Sequence, residues 1–106
     1  MKICIKHYSE LTKDEFHDLI ALRIAVFVVE QDCPYQELDG LDMDAYHLIA
    51  TVDEQVVGTL RLLKPGVVYP ELAIGRVVSH PNFRGKKLGY KMMDECMQYV
   101  KEELQL

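Results

Sequence analysis

Residues 77–91 read VVSHPNFRGKKLGYK, and this stretch predicts a strand, a tight loop and the start of a helix. The apolar, β-branched run that ends at Val78 is typical of a strand, and the following proline and asparagine end it. Helical periodicity begins around two glycines, Gly85 and Gly89. Because the first N–H groups of a helix have no internal partner and form the positive end of its dipole, an anion can bind there.

Basic residues are concentrated in the same stretch. From His80 to Lys91 the sequence holds one arginine and three lysines but no carboxylate, although the whole chain has a formal net charge of -5. A polyanionic ligand would account for this local reversal of charge. The alternative is a turn into a helix whose lysines are only solvated, and Arg-Gly-Lys-Lys by itself leaves both interpretations open.

Length and composition limit the class of protein. A chain of 106 residues, 49% hydrophobic and 27% charged, predicts one globular domain, residues 1–106. It has no apolar run long enough to cross a bilayer and no apolar region typical of a secretory signal, so we expect a cytoplasmic protein without membrane partners. The net negative charge argues against nucleic-acid binding. Three widely separated cysteines, in no C-x-x-C pair, indicate neither a disulfide framework nor a metal site.

The first third of the chain predicts a strand followed by a helix. Alternating apolar residues indicate a strand near residues 2–8. Residues 12–15, Thr-Lys-Asp-Glu, have the form of a capping box, and apolar residues then recur at spacings of three and four. Because β-branched residues are unfavourable in a helix, the helix is expected to fray or bend near Val28.

The segment from Glu30 to Asp44 reads EQDCPYQELDGLDMD and contains six carboxylates and no basic residue. Its proline, glycine and aspartates predict a loop, with room for a short helical turn. A loop this long in a small domain is more often functional than idle. The segment is therefore either a solvated acidic connection or a rim that attracts cations.

Three strands and a second helix are predicted after the acidic segment. Residues 46–52 and 56–63 form a hairpin, and residues 72–79 add a third antiparallel strand. The helix that follows carries apolar residues along one side, with two further methionines beside them: Leu88, Met92, Cys96, Val100 and Leu104, then Met93 and Met97. The methionine stripe is therefore expected to belong to the core.

This order of elements, in which a strand runs into Arg-Gly-x-x-Leu-Gly at a helix start, is similar to the GNAT family of acetyl-CoA-dependent N-acetyltransferases. The phosphate motif of that family is Gln/Arg-x-x-Gly-x-Gly/Ala, and residues 84–89 match it at Arg84 and Gly89. Lys87 replaces the middle glycine of the motif. We expect Lys87 to lie in an ordinary helical first turn, where a lysine costs nothing.

Several separated blocks resemble, more specifically, the ElaA branch of that family, and together they cover about residues 11–97. In chain order the blocks are LRxxVFVVEQxCPYQ at residues 22–36, Asp39-Gly40, His47-Leu48 and IGRV at residues 74–77. Blocks that match in the right order arise by chance far less often than one short motif. The resemblance implies an α+β fold of the three-layer α/β type, with a mixed, mainly antiparallel sheet flanked by helices.

The resemblance also implies acetyl-CoA as the cofactor. The backbone of residues 77–79 would pair with the pantetheine arm as an added strand does, and one N–H would polarise the thioester carbonyl. The pyrophosphate would bind the N–H groups of residues 85–90, near three basic side chains. The residues assigned to cofactor binding are Val77, Val78, Ser79, Arg84, Gly85, Lys86, Lys87, Leu88, Gly89 and Tyr90.

The implied reaction transfers an acetyl group to a primary amine of a small molecule or peptide, so a base must accept a proton from the amine. Related enzymes often carry a glutamate in the strand before the phosphate loop, but Ala73 stands at that position. The candidate catalytic residues are instead Glu71, on the same strand face, Glu30, at the end of the first helix, and His47, acting through water. For each of them the alternative is a structural or solvated role.

Tyr35 and Asp39 are the candidate acceptor-binding residues, because the acidic segment could draw a cationic amine. A different class of function is also open: a catalytically inactive CoA-binding or structural remnant of such a domain, which the absence of a glutamate at residue 73 favours.

The resemblance further implies that this chain lacks the C-terminal part of the domain. The sheet of the family usually continues past the second motif helix with further strands and a helix. Without them the strand at residues 72–79 would have a free edge, and such edges pair readily with other chains. We therefore expect either a truncated gene product or a partner copy, in a homodimer, that covers this edge.

Overall fold

Four antiparallel strands and two α-helices make up the described part of the chain, which is residues 1–34, 36–85 and 87–106 of a computed structural model. No helix in these ranges is both long and apolar enough to cross a membrane. In chain order the strands and longer helices are β1 (Lys2–His7), α1 (Lys13–Arg23), a π-helical segment (Ile24–Glu30), β2 (Tyr46–Val52), β3 (Gln55–Leu63), β4 (Ala73–Ser79) and α2 (Leu88–Glu102). Short 3-10 helices lie at Tyr8–Glu10, Asp42–Asp44 and Pro81–Phe83, the second of which is the helical turn for which the acidic segment had room.

The sheet has the order β1-β2-β3-β4, and each neighbouring pair is antiparallel, as predicted. A turn at Asp53 and Glu54 joins β2 to β3, and both residues have positive φ, as in a type I′ turn that suits the strand twist. Within the described ranges, no strand pairs with the outer side of β4. The free edge expected for β4 is therefore present.

The helices cover opposite faces of the sheet. From α2, a buried stripe of Leu88, Met92, Cys96 and Val100 packs on the leucines of β2 and β3. The approach is so close that a Cβ added at Gly58 would lie 2.7 Å from the sulfur of Met92. On the other face, Leu22 and Val26 pack against Val78. This helix–sheet–helix arrangement confirms the α+β, three-layer fold.

The first helix begins with the predicted capping box. The Thr12 hydroxyl accepts a hydrogen bond from the Glu15 N–H at 3.0 Å, and the Glu15 carboxylate accepts one from the Thr12 N–H at 2.9 Å. The predicted distortion occurs, but it starts at Ile24 rather than near Val28. The helix widens instead of fraying, because i→i−5 bonds such as Gln31 N–H to Val26 O, at 3.1 Å, keep the crowded β-branched backbone paired.

The methionine stripe is only partly core, so this prediction is wrong for two of its members. Met92 is fully buried, whereas Met93 is 36% exposed and Met97 is 48% exposed. Each helical residue is rotated by about 100° from its neighbour, which follows from 3.6 residues per turn. Met93 and Met97 therefore lie beside the buried stripe of α2.

The expected backbone at Lys87 is also wrong. Lys87 is the N-cap of α2, with φ 61° and ψ 20°, so it lies outside the helix in the left-handed region. The chain must turn sharply from the loop into α2, and a residue with positive φ makes that turn. A side chain at such a position costs about 1–2 kcal/mol, which explains why the GNAT motif has glycine there.

Lys87→Gly should therefore raise the free energy of unfolding by about 0.5–1 kcal/mol. Relief of the left-handed strain exceeds the cost of the greater freedom of glycine in the unfolded chain, which is about 0.4–1 kcal/mol. Urea denaturation would measure the change. Lys91→Gly is the matched control, because Lys91 is exposed within α2 and glycine there should destabilise by about 1 kcal/mol. Changes of the same sign in both variants would contradict the strain at Lys87.

Candidate functional site

An open cleft of about 480 Å³ lies between the end of β4 and the start of α2. It brings together eight of the ten residues that the sequence assigned to cofactor binding. The residues that line it are Val77, Ser79, Phe83, Arg84, Gly85, Lys87, Leu88, Gly89, Tyr90 and Met93.

The other two assigned residues do not line the cleft in the described structure. The Val78 side chain packs on the opposite face of the sheet and is 4% exposed, because successive strand residues alternate between faces. Lys86 lies outside the described residues. Conversely, sequence reasoning missed Phe83, which interrupts a polar loop, and Met93, whose helical position is one residue past the buried stripe. An apolar residue in a polar loop and an apolar residue beside the buried face of a helix are signals that could have identified both.

One wall of the cleft is the free edge of β4. The His80 N–H donates to the Val57 carbonyl at 2.7 Å, which continues the β3–β4 ladder. Since N–H groups of an antiparallel strand alternate in direction, the Ser79 N–H faces away from β3. The register also shifts between Thr59 and Arg61, opposite Arg76, which has φ 52°. β4 is therefore bulged immediately before Val77, at the cleft.

The opposite wall is the first turn of α2. The helix makes its first backbone hydrogen bond from the Lys91 N–H to the Lys87 carbonyl, at 3.1 Å. The N–H groups of residues 88–90 precede that bond, and such groups are available to an anion. A Cβ added at Gly89 would meet no atom within 4 Å. The backbone is therefore openly accessible at Gly89.

Arg84 and Glu30, which were assigned to different roles, form one ion pair. Nη1 and Nη2 of Arg84 lie 2.7 and 2.6 Å from the two Glu30 carboxylate oxygens, and Nε donates to the Ser79 carbonyl at 3.2 Å. The hydrogen bonds from Arg84 lower the pKa of Glu30. A lower pKa makes the carboxylate a weaker base, so the pairing argues against general-base catalysis by Glu30. The catalytic assignment of Glu30 stays a prediction.

His47 lies in the interior, 1% exposed, and does not line the cleft. Its Nε2 lies 2.9 Å from the Asp42 carbonyl, and its ring meets that of Phe16 edge-on at 6.2 Å. Burial lowers the pKa of His47, although the hydrogen bond to Asp42 opposes this. A neutral ring with its proton on Nε2 fits both observations. The proton-relay role stays a prediction.

Glu71 is exposed and lies before β4, which begins at Ala73. The expectation that Glu71 belongs to a face of that strand is therefore wrong. The strand starts late because residues 64–72, which contain two prolines and a glycine, form an irregular connection. A catalytic role for Glu71 stays a prediction.

The acidic segment is largely neutralised by arginines from elsewhere in the chain. Of its six carboxylates, four pair with arginines, so the segment does not form the negative rim that its composition indicates. The pairs are Glu30–Arg84, Glu37–Arg23, Glu37–Arg76, Asp39–Arg61, Asp39–Arg76, Asp42–Arg23 and Asp42–Arg61.

Asp39, a candidate for acceptor binding, has both oxygens bound by arginine. Arg61 contacts them at 2.9 and 3.0 Å, and Arg76 contacts one at 3.2 Å. Burial tends to raise the pKa of Asp39, but the hydrogen bonds from Arg61 and the Leu41 N–H lower it overall. Asp39 is therefore ionised and already paired. Tyr35, the other candidate, lies outside the described residues.

Comparison with known proteins identifies the family. A family model described as the Acetyltransferase (GNAT) family matches residues 8–106, nearly the whole chain. The chain belongs to the GNAT family. Protein ElaA of Escherichia coli is 38% identical over 94 residues, and the UPF0039 protein sll0451 of Synechocystis is 39% identical over 94 residues. The resemblance to the ElaA branch is thereby confirmed.

Solved structures of GNAT-type proteins share this fold. An acyl-CoA N-acyltransferase from Pseudomonas aeruginosa is 45% identical and superimposes with a TM-score of 0.90, covering 94% of this chain and 70% of that one. The E. coli ElaA crystal structure gives a TM-score of 0.89, with 94% and 69% covered. The match to the ElaA sequence covers 87% of this chain and 61% of ElaA, so the chain spans less than two thirds of that relative. Family membership supports acyl transfer in general terms.

The pKa of Glu30 should be below the ordinary glutamate range and should return towards it in Arg84→Gln, because the guanidinium stabilises the charged carboxylate. With a lowered folded-state pKa, the stability due to the pair is present above the unfolded-state pKa and is lost as the pH falls through the folded-state value. Carboxyl-carbon NMR titration would measure it. Lys91→Gln, which also removes one positive charge, is the control; an equal shift in both variants would contradict the pairing.

Proposed function

We propose that this GNAT-family chain transfers the acetyl group of acetyl-CoA to a primary amine, and that CoA binds in the cleft between β4 and α2. One observation carries the proposal: the edge of β4, which no described strand covers, and the first-turn N–H groups of α2 form the two walls of one cleft. The edge of β4 suits an extended chain that bears amides, and the first turn of α2 suits a phosphate. CoA contains both.

The residues in the cleft fit CoA in three respects. The edge of β4 at Val77 and Ser79 can pair with the two amides of the pantetheine arm. The N–H groups of residues 88–90 can hold the pyrophosphate, with positive charge from Lys87 nearby. The open space at Gly89 leaves room for close approach of a phosphate. When bound, acetyl-CoA supplies a thioester that is activated towards attack by an amine.

Two of the three candidate bases lie in surroundings that disfavour proton transfer. The pairing of Glu30 with Arg84 favours a role in holding the phosphate loop, and burial of His47 disfavours proton exchange with a substrate. Glu71, exposed next to β4, is the remaining candidate base. We keep a small-molecule or peptide amine as the acceptor and a cytoplasmic location as parts of the proposal. We also keep a homodimer, in which a partner copy covers the edge of β4 outside the part that pairs with CoA.

Acetyl-CoA should raise the melting temperature of the chain, because a ligand that binds only the folded state stabilises it by mass action. The gain is about 2.7 kcal/mol at a ligand concentration of 100 Kd. Desulfo-CoA, which retains the nucleotide and pantetheine amides, should act similarly, whereas sulfate at the same concentration should have little effect. Thermal melting with each ligand checks this. Equal shifts with sulfate and acetyl-CoA would indicate a general anion site instead.

The second candidate function is a CoA-binding remnant without activity. The alanine at residue 73 and the ion-paired state of Glu30 favour it. Release of free thiol from acetyl-CoA in the presence of a panel of amines separates the two candidates. Thiol release that depends on both the protein and an amine supports the enzyme, whereas binding without release supports the remnant.

Gly89→Leu should abolish stabilisation by acetyl-CoA without lowering the stability of the ligand-free protein. The new side chain meets no protein atom at its Cβ and has an ordinary helical φ, but it projects at the wall where the phosphate is proposed to bind. Leucine is also a better helix former than glycine, by about 0.8 kcal/mol. Gln98→Leu, at an exposed position farther along α2, is the control and should keep the response. An undiminished response of Gly89→Leu would place CoA elsewhere.

A further inference from the structure

Arg76 combines two unusual features at one position of β4. Its φ of 52° is in the left-handed region, inside a strand and not at a turn, where a side chain costs about 1–2 kcal/mol. The β3–β4 register shifts at the same place, between Thr59 and Arg61. A bulge of this kind commonly carries glycine, so the arginine side chain must offset the strain through its contacts.

Those contacts join β4 to the acidic segment. Arg76 Nε lies 2.7 Å from a Glu37 carboxylate oxygen, and Nη2 lies 3.2 Å from an Asp39 oxygen. The Arg76 side chain is 22% exposed, whereas that of Glu37 is 4% exposed. Because solvent screens a partly buried pair less than an exposed one, these contacts are stronger than typical surface pairs.

Glu37 is itself anchored in the interior. The same carboxylate oxygen that meets Arg76 lies 2.6 Å from Nε of Arg23, whose side chain is 1% exposed in α1. Arg23 also binds Asp42 at 2.8 Å, near the end of the acidic segment. The loop, the core helix and the bulge of β4 are thus connected through one carboxylate.

The next residue along β4 is Val77, which lines the cleft. We propose that Arg76 is a positioning residue. Its ion pairs with Glu37 and Asp39 hold the bulge of β4 so that the backbone at Val77 faces the proposed acetyl-CoA site in the cleft. The same ion pairs couple that site to residues 37–42. The catalytic part of this inference rests on the proposed acetyl transfer. The coupling itself is a property of the ligand-free chain.

Two substitutions at Arg76 test the proposal. Arg76→Gly accommodates the positive φ without strain but removes the guanidinium, and Arg76→Lys keeps a charge but loses the two-point contact. Should one variant fold poorly, the other still decides. Lys101→Gln, at an exposed position of α2, removes a positive charge far along the chain from the cleft and is the matched control.

Amide hydrogen exchange of the ligand-free protein is the first measurement. Loosening of the bulge should accelerate exchange at Val78, in the β3–β4 ladder, and at Leu41, whose N–H is bound to Asp39 at 3.0 Å. We expect acceleration of about tenfold or more at both residues, and none at Ile49 in the centre of the sheet. Wild-type exchange at Val78 in both Arg76 variants would overturn the coupling.

Steady-state kinetics are the second measurement. Misplaced backbone at a reacting group should lower kcat by about tenfold to a hundredfold while the KM for acetyl-CoA stays within about threefold, with the smaller loss in Arg76→Lys. A raised KM with unchanged kcat, or kinetics equal to those of Lys101→Gln, would overturn positioning. If the wild-type protein neither binds acetyl-CoA nor releases thiol, the proposed function fails. The hydrogen-exchange rates at Val78 and Leu41 then test the coupling by themselves.

Discussion

The pairing of buried charge is the constraint on which the arrangement of this protein depends. Arg23 is 1% exposed, and a guanidinium in that position requires carboxylates within hydrogen-bond distance, which Glu37 and Asp42 provide. Removal of one member of such a set costs about 3–5 kcal/mol, because it leaves an uncompensated charge. The segment that supplies both carboxylates, in which the described residues form a short 3-10 helix at Asp42–Asp44, is therefore held in place by ion pairs with arginines of α1 and the sheet.

Two residues with strained backbone lie beside the cleft, and one of them, Arg76, also belongs to this network of ion pairs. Arg76 and Lys87 both have positive φ, and they flank the strand end and the loop that connect the two walls of the cleft. Strained residues persist only where their surroundings over-determine them. For Arg76 the surroundings include the ion pairs with Glu37 and Asp39, and for Lys87 they include the packing of α2, whose buried stripe begins at the next residue.

Local patterns predicted the order of strands and helices, the resemblance to the GNAT family implied the grouping of cleft residues, and non-local contacts explain what both missed. The strands and the capping box follow from periodicity and turn residues within a few positions, so the sequence was sufficient for them. The start of α2 was placed too early, because Lys87 was expected inside the helix and is its N-cap. The acidic segment was misjudged because its partners, among them Arg61 and Arg84, lie far away in the chain. The φ of Lys87 could be read from its place in the GNAT motif, since the family has glycine there.

Neutralisation of the acidic segment changes how charge can act at this site. A cationic acceptor gains little attraction from carboxylates that already contact arginines, since paired charges largely cancel at a distance. The charge at the start of α2 is not cancelled in this way. Lys87 and the N-terminal end of the helix dipole are both positive, and none of the described residues that line the cleft carries a carboxylate. For the proposed acetyl transfer, electrostatic attraction would therefore act on anionic CoA more than on a cationic acceptor. Under that proposal, selection of the acceptor would depend on shape and hydrogen bonding at the β4 bulge, where Arg76 and Asp39 meet.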